Sequence, residues 1–186
     1  MPTPPPEPSA LVSFVGRWGF SWAGWLDNRR GEWWLAAQAL LIAAVVLLPA
    51  LPSPRQLAVA WPLAARVGGG LLLLVGLAQA LQALRTLGAS LTPLPEPMAG
   101  APLVRQGLYG RCRHPLYQAI LICALGVALL RGSLLHLGLL LALAGLLGGK
   151  ARREERSLAG IHPDYGAYRA GTAAIVPRLP WLDWRA

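Results

Sequence analysis

Apolar residues in this chain gather into four long runs divided by short polar breaks. The first runs from Trp33 to Leu51 and is closed by Pro49 and Pro52. The second runs from Val67 to Leu84, with Gln79 and Gln82 as polar interior residues. The third, Leu116 to Leu130, and the fourth, Leu134 to Gly149, are joined by Arg131, Gly132 and Ser133, which reads as a tight turn. Each run holds about 15–19 residues, close to the roughly 20 that cross a bilayer as a helix. In lipid only helices and closed barrels satisfy their backbone groups, and runs this rich in Leu, Ala and Gly read as helices. Gly145 and Gly149, at i and i+4, would let two helices approach closely.

Ahead of these runs, Leu11, Val15, Trp18, Trp22 and Trp25 recur at steps of four and three, which puts them on one helical face. Arg17 and the surrounding Gly and Ser make the segment a poor span. The pattern predicts an amphipathic helix lying in the interface, or alternatively a fifth transmembrane helix. The opening residues, Met1 to Ser9, are proline-rich and lack basic residues, so they read as an extended, disordered tail rather than a signal peptide. The expected fold is therefore an all-α integral membrane protein of four transmembrane helices, with five as the alternative. Residues 1–32 form the tail and interfacial helix, and residues 33–186 form the membrane domain with a cytosolic C-terminal tail.

Composition supports a bilayer as part of the solvent. Only 13% of residues are charged against 55% hydrophobic, and mean hydropathy is +0.47; a soluble domain carries roughly a quarter charged residues. Net charge +9 invites a nucleic-acid reading, but a basic stripe with stackable aromatics on a soluble fold is missing. Charge instead orients the chain. Four spans place Arg17, Arg29 and Arg30, then Arg85, Arg105, Arg111 and Arg113, then Lys150, Arg152, Arg153, Arg156, Arg169, Arg178 and Arg185 on one side. Only Arg55, Arg66 and Arg131 remain opposite, so fourteen of the 17 basic residues share a face. By the positive-inside rule that face is cytosolic and holds both termini.

Two segments on that face carry most of the reactive side chains: "LVRQGLYGRCRHPLY", Leu103 to Tyr117, and "KARREERSLAGIHPDYGAY", Lys150 to Tyr168. Pro115 suits the first turn of a helix, which seats His114 at its mouth and Tyr117 one turn on. Glu154 and Glu155 follow the fourth run; as a solvated pair among basic residues they would be ordinary i,i+4 partners. His114, His136 and His162 share no metal-ligand spacing, so no metal site is expected. "AGLLGGKA" has Ala144 and Ala151 where a phosphate-binding loop needs Gly and Ser or Thr, and no nucleophile elbow or dinucleotide fingerprint occurs. Cys112 and Cys123 form no CxxC pair, and Cys123 reads as a small hydrophobe.

The combination of "LTPLPEP", "LVRQGLYGRCRHPLY", "EERSL" and "DYGAY" resembles the isoprenylcysteine carboxyl methyltransferase family and its bacterial, phospholipid-methyltransferase-like relatives. The resemblance runs from about Leu87 to Pro177. It implies S-adenosyl-L-methionine as cofactor, a lipophilic small molecule or prenylcysteine-like carboxylate as methyl acceptor, membrane lipid as surroundings, and a bacterial inner membrane as location. Carried over residue by residue, it gives Leu103, Val104, Tyr109, His114, Pro115, Leu116, Tyr117 and Glu154 as cofactor-binding, and Lys150 and Arg113 as catalytic. Ala101 and Pro102 would contribute backbone only. Lys150 stands where the family has a substrate-facing Arg, which keeps the charge and loses the bidentate fork. Glu155 is expected to point elsewhere. The RHPxY element also occurs in membrane sterol reductases, so a nicotinamide-dependent oxidoreductase is the alternative enzyme, and a non-catalytic membrane protein the alternative outside catalysis.

Overall fold

The computed structural model describes residues 22–28, 30–57, 60–97 and 100–185. The proline-rich tail and most of the predicted interfacial helix lie outside them. The described end of that segment is a short helix, α1 (Trp22–Asp27). Four apolar helices follow: α2 (Glu32–Leu47), α3 (Leu63–Leu87), α4 (Pro115–Arg131) and α5 (Leu134–Ile161). A last helix, α6 (Tyr165–Gly171), leads into a C-terminal strap. Among the described residues there is no strand beyond one isolated parallel bridge between Cys112 and Ala173.

Two stretches are long and apolar enough to cross a membrane, Leu63–Ser90 and Leu134–Ile161, with mean hydropathies of 1.8 and 1.7. α2 and α4 are shorter apolar helices. At 1.5 Å per residue, α5 is about 42 Å long and overreaches a hydrocarbon core of about 30 Å. It therefore continues past Gly149 without a break and carries Lys150, Glu154 and Glu155 on the same rigid rod. α3 leaves Leu71, Leu74, Val75, Leu77 and Leu81 exposed along its length. Such a contiguous apolar surface needs lipid to cover it, and the chain is accordingly an integral membrane protein.

α3 packs on α4, α4 on α5, and α5 on α2. The α3–α4 contact is built on glycine. A Cβ on Gly69 would meet the Gly126 carbonyl at 2.7 Å, and one on Gly76 would meet Cys123 Sγ at 2.5 Å. Small residues of this kind let membrane helices gain close van der Waals contact. The expected pair behaves differently at its two members. Gly149 abuts the Trp34 ring of α2, but Gly145 faces open space. The predicted turn between α4 and α5 forms, with Gly132 in the left-handed region at φ 59°, the conformation glycine adopts without a Cβ penalty.

The C-terminal tail is not a loose appendage. Ala174 and Ile175 are fully buried, and Ile175 and Leu182 join Tyr117, Leu121, Leu143 and Leu147 in the core. Asp183 folds the strap on itself by accepting the Ala174 and Arg178 backbone N–H groups at 3.2 and 2.9 Å.

Candidate functional site

The site begins where the loop before α4 docks on the C-terminal strap. The Arg113 and His114 backbone N–H groups donate to the Ala173 and Ala174 carbonyls at 2.8 and 3.0 Å. Cys112 Sγ lies 3.1 Å from the Ala174 carbonyl, and burial pushes its thiol up to about 11, so it stays a protonated structural group. His114 caps α4 and Pro115 takes its first turn, as expected. Gln79 of α3 donates to the Pro115 carbonyl at 3.0 Å and to Gln118 Oε1 at 2.8 Å, and Gln118 donates to the Ile175 carbonyl at 2.7 Å. The polar residue inside the second apolar run thus anchors the start of α4 to both neighbours.

Beneath this loop sits a buried ionic cluster centred on Glu155, which is 3% exposed. Its carboxylate accepts Arg113 Nε at 2.8 Å, Arg113 NH2 at 3.2 Å, His114 Nε2 at 2.8 Å and Trp184 Nε1 at 2.8 Å. The remaining Arg113 N–H groups go to the carbonyls of Arg169, Thr172 and Trp184. All five guanidinium donors are therefore consumed inside the protein. A buried ion pair is tolerable only when every lone pair and proton is matched in this way. Glu155 points elsewhere than the pocket Glu154 borders: one residue of helix rotates it by about 100°, toward Arg113, His114 and Trp184.

Glu154, on the adjacent face, borders a narrow pocket of about 80 Å³. Leu103, Val104, Tyr109, Arg113 and His114 border it too, so six of the sequence-derived residues converge there. Glu154 Oε2 accepts the Tyr117 hydroxyl at 3.0 Å and lies 3.7 Å from His114 Nδ1. Tyr109 is buried, its carbonyl accepts the Tyr168 hydroxyl at 2.5 Å, and desolvation holds its own phenol well above the usual range. Ala101 and Pro102 line the wall, as anticipated, beside residues the sequence did not single out for a role: Thr92, Leu158, His162 and Tyr165. Tyr165 stands apart. It is 1% exposed and its hydroxyl has no hydrogen-bond partner among the described residues, while burial keeps it a neutral phenol. The motif "DYGAY" contained it, but only the fold reveals the unpaired hydroxyl.

Four expected residues, Pro115, Leu116, Tyr117 and Lys150, lie off this pocket. Pro115 is buried beneath the loop. Leu116 and Tyr117 line a second cavity of about 200 Å³ together with Lys150, Gln38 and Thr92; Thr92 also borders the first pocket. The Tyr117 ring stacks on His114, with centroids 5.3 Å apart and planes within 2°, and it stands between the two spaces. Lys150 does not reach toward the interface. It is 1% exposed, donates to Gln38 Oε1 at 2.6 Å and the Pro93 carbonyl at 2.9 Å, and sits 5.4 Å from the Tyr117 ring centroid. Gln38 was legible in principle, because a polar residue inside an apolar span marks a functional or packing contact.

The chain is 40% identical over 78 residues to the cobalt-zinc-cadmium resistance protein CzcN of Cupriavidus metallidurans. That match covers 41% of this chain and 36% of CzcN, so the chain spans about a third of the length of this curated relative. No solved structure matches. The model of the phospholipid methyltransferase family matches residues 64–164, a stretch that runs from the start of α3 to the first turn before α6 and contains Tyr109, His114, Lys150 and Glu154. The chain thus belongs to the phospholipid methyltransferase family, membrane methyltransferases within the isoprenylcysteine carboxyl methyltransferase-like superfamily.

Proposed function

We propose that this protein is an integral-membrane, S-adenosyl-L-methionine-dependent methyltransferase whose acceptor is a lipophilic small molecule or prenylcysteine-like carboxylate. The observation that carries the reading is the pairing of Glu154 with Tyr165 across one pocket. Glu154 uses Oε2 for Tyr117, and Oε1 receives no hydrogen bond among the described residues. Tyr165 brings a buried hydroxyl that has no partner among the described residues. A buried polar group left unmatched costs about 1–3 kcal/mol, so a free acceptor and an orphan donor in one cavity fit a polar ligand.

When bound, the cofactor supplies an electrophilic methyl group on a sulfonium centre. Glu154 accepts hydrogen bonds from its ammonium or ribose hydroxyls, and Tyr165 donates one. Tyr109 offers an aromatic face to positive charge, an attraction worth about 0.5–2 kcal/mol. Holding nucleophile and electrophile in line supplies up to about 7–11 kcal/mol, so orientation is the main task of these side chains. Arg113, with every donor engaged, acts as a positioning residue that fixes His114 and the start of α4. The second cavity, across Tyr117, takes the acceptor. Its walls Leu35, Leu84, Leu91 and Leu116 suit an apolar tail, and Lys150 meets an anionic head group after releasing Gln38. A carboxylate acceptor needs no general base. The reading also includes four membrane spans, both termini in the cytosol and a bacterial inner-membrane location.

Methyl-labelled S-adenosylmethionine and a panel of lipophilic carboxylates test this function with the purified protein. Label moves into the organic phase with wild type, Lys150→Ala raises the apparent acceptor constant without changing cofactor affinity, and Lys150→Arg keeps activity on carboxylates. Equal turnover by wild type and Lys150→Ala across the panel would remove Lys150 from acceptor binding.

A further inference from the structure

A second polar cavity opens on the other face of α5 and plays no part in the proposed methyl transfer. It is an open cavity of about 640 Å³ bordered by Arg152, Glu155, Arg156, Ala159, Arg169 and Trp184. Arg152 and Arg156 are one turn apart on α5, so their side chains share a face, and Arg169 comes from α6. None of the three guanidinium groups makes an ion pair among the described residues. The Arg152 guanidinium carbon lies over the Trp184 ring, 4.2 Å from its centroid, and its NH2 donates to the Trp181 carbonyl at 3.0 Å. The single carboxylate in the wall, Glu155, already accepts from Arg113, His114 and Trp184. It has no capacity left to neutralise the arginines. Three positive charges therefore converge on one cavity with no counter-charge of their own.

Height along α5 points to the ligand. From Leu134, Arg152 and Arg156 lie about 27 and 33 Å along the axis at 1.5 Å per residue. That is the edge of a hydrocarbon core of about 30 Å, the level of lipid head groups. Trp181 and Trp184 stand at the same edge, where indole rings favour the interface. Arginine forks match phosphate oxygens bidentately. We propose that this cavity is a binding site for the phosphate of an anionic phospholipid head group, separate from the methyl-transfer pocket. Trp184 links the two: its ring carries Arg152 and its indole N–H holds Glu155. A bound lipid steadies the strap and, through it, the Arg113–His114 cluster.

The test is thermal unfolding of the full chain in detergent, titrated with short-chain phosphatidylglycerol, short-chain phosphatidylcholine or inorganic phosphate. Phosphatidylglycerol should raise the melting temperature with a half-saturating concentration at least about tenfold below that of phosphatidylcholine. Each interfacial arginine contributes about fivefold in affinity, so Arg156→Ala weakens the glycerol lipid about fivefold and Arg156→Ala with Arg169→Ala about 25-fold. Arg66→Ala, on the far rim, leaves it unchanged. Should the double variant not fold, the single exposed Arg156→Ala decides. Equal response to both lipids, or an unchanged response in Arg156→Ala, overturns the site. Inorganic phosphate binding as tightly as phosphatidylglycerol overturns the lipid assignment.

Discussion

Glu154 and Glu155 are neighbours in sequence and opposites in environment, and mutating each should separate ligand binding from folding. Glu155→Gln removes the charge that Arg113 and His114 surround. Breaking a buried pair by losing one partner costs about 3–5 kcal/mol, so this variant should unfold at much lower denaturant, read by circular dichroism in detergent. Tyr165→Phe should do the reverse. It deletes a hydroxyl that has no partner among the described residues, so stability holds or rises, yet affinity for S-adenosylhomocysteine falls about five- to tenfold, the loss of one hydrogen bond. A destabilised Tyr165→Phe with unchanged affinity would make the hydroxyl structural. At this scale the sequence disclosed which residue types matter but not their partners. Tyr109, His114 and Glu154 were legible because their spacing follows a family pattern. The saturation of Arg113 was not, since three of its acceptors are backbone carbonyls of Arg169, Thr172 and Trp184, and carbonyls leave no mark in a residue pattern.

Among the elements, α3 and α4 depend on glycine and the strap depends on Asp183. A Cβ at Gly126 would meet the Gly69 carbonyl at 2.7 Å and the Leu73 nitrogen at 2.9 Å, both rigid backbone, whereas one at Gly145 meets nothing. Gly126→Val should therefore cost a large share of the folded, monodisperse protein on size exclusion, and Gly145→Val almost none. Asp183 is held down to about 2, first by its hydrogen bond with Arg185 and then by the Arg178 and Ala174 N–H groups. Its folded value lies below the unfolded value of about 4, so its stabilisation is present above pH about 4 and is lost as pH falls toward 2. Asp183→Asn should lower stability at neutral pH and flatten the acid limb across that window in a pH series of melts. The four apolar helices were readable from run length alone. The i,i+4 reading carried the fourth helix one turn past Gly149, but its end at Ile161 was not readable, and the buried strap was not, because its pairing with Cys112 and His114 joins residues some sixty apart.

For the whole molecule, the account requires the two cavities on either side of Tyr117 to open toward one membrane face, with both termini in the cytosol. Fourteen of 17 basic residues fall on that side of a four-span arrangement, and reporter fusions at each terminus should both report the cytosol; one terminus on each side would mean that the N-terminal tryptophan-rich segment spans. The central claim is narrower and lies in the pocket that Glu154 shares with Tyr165. Isothermal titration of the purified protein with S-adenosylhomocysteine addresses it, using wild type and Glu154→Gln. The account predicts binding by wild type and, in Glu154→Gln, an affinity lower by about ten- to a hundredfold, the loss of hydrogen bonds to a charged group, with the melting temperature unchanged. Absence of binding by the folded wild type, or equal affinity in the two proteins, would contradict it.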